Sequence, residues 1–71
     1  MDADKEYEEQ LIEIASKAHR RSVAINMASA IRSLYAHDHP TLSEAREVVE
    51  AEEAAAAADK ALADWREAHR A

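Results

Sequence analysis

The sequence predicts an all-α fold, an antiparallel two-helix hairpin that dimerises into a four-helix bundle. Three observations predict it. There is no glycine, one proline and no phenylalanine, and alanine fills about a quarter of the chain. Ala, Glu, Arg, Leu and Lys lose the least conformational freedom on entering a helix. The β-branched residues never alternate with polar ones at a period of two, so nothing reads as a strand. The single proline falls mid-chain, in His37-Asp38-His39-Pro40-Thr41, where it marks the turn.

Each element follows from local chemistry. Residues 1–71 form one domain, with helix 1 over about 4–36, a loop at 37–41 and helix 2 over about 42–70. Asp2 or Asp4 can cap helix 1, and Glu6, Glu8 and Glu9 complement its dipole. No Gly or Pro interrupts it near Arg20–Ser22, where a three-helix alternative would need a break. Thr41-Leu42-Ser43-Glu44 reads as a capping box that opens helix 2. At 1.5 Å per residue the helices measure roughly 48 and 42 Å. Ala54 to Ala58 is a low-complexity helical stretch, and the chain has no internal repeat.

Heptad spacing predicts the seam. Helix 1 carries Tyr7, Leu11, Ile14, Ala18, Arg21, Ile25, Ala28, Arg32 and Tyr35 at alternating steps of four and three. Helix 2 carries Val48, Ala51, Ala55, Ala58, Leu62, Trp65 and His69. A short loop makes the helices antiparallel. Leu11 then meets Trp65, Ile14 meets Leu62, Ala18 meets Ala58, Ile25 meets Ala51, and Tyr7 meets His69. Arg21 falls opposite Ala55 with its head reaching solvent. Arg32 falls opposite Glu44. The acid-free segment with Lys17, Arg20, Arg21 and Arg32 lies across from Glu44, Glu47, Glu50, Glu52 and Glu53, so one register serves packing and charge.

A second apolar set is left over. Val23, Met27, Ala30, Ile31 and Leu34 lie on another face of helix 1, and Leu42, Ala45 and Val49 sit at the same loop-proximal end. A lone hairpin cannot cover them, and an apolar patch of this kind marks an interface. Val23, Met27, Ala30, Ile31, Leu34, Leu42 and Val49 are the candidate dimer or partner surface.

Charge and residue types then exclude function classes. The net charge of −6 argues against nucleic acid and anionic membrane as partners. No apolar run reaches the length of a transmembrane helix, and the acidic start Met1-Asp2-Ala3-Asp4 lacks the order of a signal peptide. A cytoplasmic protein is the simplest reading. With no cysteine, neither a disulfide nor a thiol nucleophile exists. His37 and His39 have a His-x-His spacing, but zinc wants three or four ligands, so no metal site and no cofactor is expected. Ser16 and His19 form a Ser–His pair at helical spacing; without an oriented acid or a cleft it does not make a triad, and the chain is read as no enzyme. Trp65 fits the seam better than an exposed hot spot.

In size, acidity, alanine-rich composition and hairpin plan, the chain resembles the small phage-encoded anti-activators of quorum sensing, which are dimeric helical hairpins. The resemblance spans the whole chain and transfers no functional residue. It implies a homodimer that inhibits a larger bacterial protein, such as a LuxR-type transcription regulator or a type IV pilus assembly ATPase. The alternative is a structural or designed helical bundle with no ligand. Arg21 in the seam, the His-rich loop and the irregular Ser22, Asn26, Ser29 and Ser33 count against design.

Overall fold

The described residues form two helices. The computed structural model describes residues 2–36 and 39–70. Helix α1 spans Ala3–Ala36 and α2 spans Leu42–Ala68, and they pack against each other as a hairpin. Among the described residues there is no strand. The rod measures 53 × 18 × 15 Å, which is about what a helix of 34 residues spans at 1.5 Å per residue.

The helix starts follow the sequence logic. Asp2 caps α1: its Oδ1 accepts from the Asp4 amide at 3.2 Å, and its carbonyl accepts from the Glu6 amide at 3.1 Å. Thr41 caps α2 from an extended backbone, its Oγ1 accepting from the Glu44 amide at 3.1 Å. Only that half of the capping box forms. The Glu44 carboxylate turns instead to Arg32, in the ion pair across the turn that the register predicts. Replacing Thr41 by alanine should cost about 1 kcal/mol. The expected readout is a melting midpoint lower by roughly 4–8 °C in circular dichroism; an unchanged midpoint would show that the cap contributes nothing. At the far end His69 closes α2, its backbone amide and its Nδ1 both reaching the Trp65 carbonyl, at 3.1 and 2.9 Å.

The seam is made of small residues. On α2 the inward positions are Glu44, Val48, Ala51, Ala55, Ala58, Leu62 and Trp65, spaced four and three. From Val48 to Trp65 this is the heptad track expected there, whereas His69, the last position of that track, is exposed. On α1 the inward positions are Glu8, Leu11, Ala15, Ala18, Ser22, Ile25, Ser29 and Ser33. Every second position has therefore moved on by one residue from the predicted track. Ile14 is not in the seam: it is 55% exposed, and Ala15 takes its place. Tyr7, Arg21, Ala28 and Arg32 also stand outside it.

Close approach explains the shift. Ala51 is 0% exposed, Ala55 5% and Ala15 6%, and these three alanines are the whole buried apolar core of the described residues. Three methyls leave no room between the backbones for an Ile14 or an Arg21 side chain. Turning α1 to present Ala15 and Ser22 lets the helices meet. It also spares Arg21 any desolvation. Ser22 is buried at the centre, and its neighbourhood is satisfied. Asn26 Nδ2 donates to the Ser22 carbonyl at 2.9 Å and lies 3.5 Å from Ser22 Oγ and 3.4 Å from Glu52 Oε1, tying α1 to α2.

Candidate functional site

The apolar surface predicted as an interface stands open in the single chain. Val23, Met27, Ile31, Leu34, Leu42 and Val49 are all exposed, Met27 by 58% and Leu34 by 70%. Ala30 is exposed as well. The seam requires this. Because Ser22, Ile25 and Ser29 face α2, the residues at Val23, Met27 and Ala30 point to one side of the hairpin, and Ile31 and Leu34 continue that side toward the loop.

Two depressions lie on this side, one spanning both helices and one along α1 alone. A shallow groove of about 430 Å³ runs between the helices at the loop end, lined by Ala30 and Ser33 of α1, by Ala45, Val48 and Val49 of α2, and by Pro40. A second hollow of about 350 Å³ lies along α1, lined by His19, Arg20, Val23, Ala24 and Met27. Thus Ala30 of α1 and Val49 of α2 share one face, and Arg20 borders the apolar stripe. Asn26 with Glu52 marks the rim of the groove. Both depressions are open troughs on the surface.

Of the predicted seam residues, Leu11, Ala18, Ile25, Ala58, Leu62 and Trp65 are half-buried and Ala51 and Ala55 buried. Ile14 is the exception already described. The open end differs in detail from the expected rungs. Trp65 stacks on His69 with ring centroids 4.2 Å apart and tilts against Tyr7 at 6.1 Å. Tyr7 thus meets Trp65, one turn before the His69 that the even rungs assign to it. Glu8 reaches Arg66 across the same end at 3.6 Å.

His19 shows what sequence spacing missed. Its Nε2 lies 2.7 Å from Asp59 Oδ2 on the opposite helix. Among the described residues, no hydrogen bond joins Ser16 to that pair. Asp59 is forty residues away in sequence, so no local pattern signals it. The imidazole and carboxylate are both about half exposed, at the edge of the open hollow along α1 that His19 helps to line. The rest of the surface carries local pairs, Glu13 with Lys17 at 3.0 Å and Lys60 with Asp64 at 2.6 Å. The hydrogen bond to Asp64, and then the charge of that carboxylate, hold the Lys60 ammonium above its ordinary pKa.

His37 and Asp38 of the predicted His-x-His loop lie outside the described residues. Among those described, no group of three His, Asp or Glu side chains could hold a metal ion. No described helix is long and apolar enough to cross a membrane. Comparison of the chain with protein-family models, with curated proteins and with solved structures finds no match.

Proposed function

We propose that the chain is a non-catalytic protein-interaction module: two copies close into a four-helix bundle through the loop-proximal face, and the dimer binds and restrains a larger protein. Surface area carries this reading. The chain exposes 5616 Å², whereas a compact monomer of 7.9 kDa exposes about 4,400 Å². The excess is roughly 1,200 Å², and a stable interface of standard size takes about 800 Å² from each partner. The thin core supports the same reading, because among the described residues no large side chain is fully buried. Small chains of this kind reach stability by associating.

The narrower form of the proposal is an inhibitor or anti-activator of a bacterial transcription regulator. Its support is the likeness of size, charge and hairpin plan to the phage anti-activators. Two measurements test the reading. Sedimentation velocity at low micromolar concentration should give twice the chain mass of 7.9 kDa. A tagged dimer passed through bacterial lysate should retain one protein in stoichiometric amount, identified by mass spectrometry. A dimer that retains nothing would favour a ligand-free structural bundle instead.

A further inference from the structure

Resting on the reading of the loop-proximal face as the dimer interface, we infer that the second copy docks with its loop at the same end, so that α1 of each copy lies over α2 of the other. A symmetric pair can bring one face against itself in two ways. The two-fold axis runs either along the helices or across them. Along the helices, each α1 covers the partner's α2 antiparallel, and residues meet at equal height. Across them, α1 covers α1 and α2 covers α2, centred on the patch.

The hairpin itself supplies the heights. Arg32 is level with Glu44, and Asn26 with Glu52. With the axis along the helices, Leu34 therefore comes over the partner's Leu42, and Met27 over the partner's Val49. By the His19–Asp59 contact Arg20 is level with Ala58, so it comes within about one and a half turns of the partner's Glu53, inside the reach of the two long side chains. Among the described residues neither Arg20 nor Glu53 has an ion-pair partner within its own chain. The apolar stretch thus meets an apolar stretch, and the basic segment of α1 meets the acidic segment of α2. With the axis across, Met27 falls on its own copy and Arg20 falls on the partner's Leu34. The area left exposed by one chain is enough for either arrangement; charge chooses the first.

The chain has no cysteine, so a single Lys5→Cys substitution places one spin label at the open end of each copy. Electron–electron dipolar spectroscopy should then report an inter-copy distance below about 30 Å, the width of a four-helix bundle with its labels. The crosswise arrangement would separate the two labels by about 65 Å. Arg20→Glu should weaken the dimer by roughly tenfold, and adding Glu53→Arg to it should restore the affinity. A distance near the long value, or a failure of the second change to rescue the first, overturns this orientation and leaves the homodimer standing. A monomer in sedimentation overturns the homodimer itself, and the orientation with it.

Discussion

The double variant Met27→Glu with Ile31→Glu should be monomeric at concentrations where the parent is a dimer. Both side chains are more than half exposed in the single hairpin, so their replacement leaves the seam between α1 and α2 untouched. In the proposed bundle they become buried, and two copies bring four carboxylates into apolar surroundings. At no less than ~1 kcal/mol for each unpaired polar group, the loss is at least ~4 kcal/mol, or about a thousandfold in dissociation constant. The released hairpin has only an alanine core, so thermal stability should fall with it. Ile14→Glu is the informative contrast. Ile14 sits on the predicted seam track, yet it is exposed and away from the loop-proximal patch, so that variant should remain a dimer with near-parental melting. If the double variant still sediments as a dimer, the loop-proximal face is not the interface.

Ala51→Leu should be the most damaging single change within the hairpin. Ala51 is completely enclosed, with buried Ala55 a turn away on the same seam. A leucine there must push the helices apart or leave its rotamer well. Overpacking of this kind costs about 1–3 kcal/mol, which for a domain of this size lowers the melting midpoint by roughly 4–8 °C for each kcal/mol. Ala57→Leu, on the exposed side of the same alanine run, adds a good helix former without touching the seam and should melt like the parent. Both must be compared at one protein concentration, because dimer stability depends on it. An Ala51→Leu chain that melts at or above the parent would mean that the helices do not depend on close approach.

The residues differ in how much of their role can be read without coordinates. Helix formers without glycine, a lone proline and Thr41 before Glu44 determine two helices and the place of the turn, because these are local preferences of the backbone. The inward face of α2 is equally legible. Val48, Ala51, Ala55, Ala58, Leu62 and Trp65 form one track flanked by acids, and no rival track competes with it. Arg32 opposite Glu44 follows from the shortness of the loop. The surplus stripe of Val23, Met27, Ala30, Ile31 and Leu34 is also written in the sequence, since no two-helix arrangement can bury it together with the seam.

The rotation of α1 was decided only by tertiary packing. Tyr7, Ile14, Arg21 and Ala28 keep the same spacing as Glu8, Ala15, Ser22 and Ser29, one residue on. Hydrophobicity favours the first set, and heptad spacing cannot separate them. What separates them is the distance between backbones, which the alanines of α2 make short enough to admit Ala15 and Ser22 but not Ile14 and Arg21. The same turn of the helix carries His19 to Asp59 and Asn26 to Glu52, contacts between residues with no pattern in common along the chain. Local propensity therefore determined the elements and one side of their seam. Steric fit across the seam decided which side of α1 is inside and, by exclusion, which apolar side is left exposed.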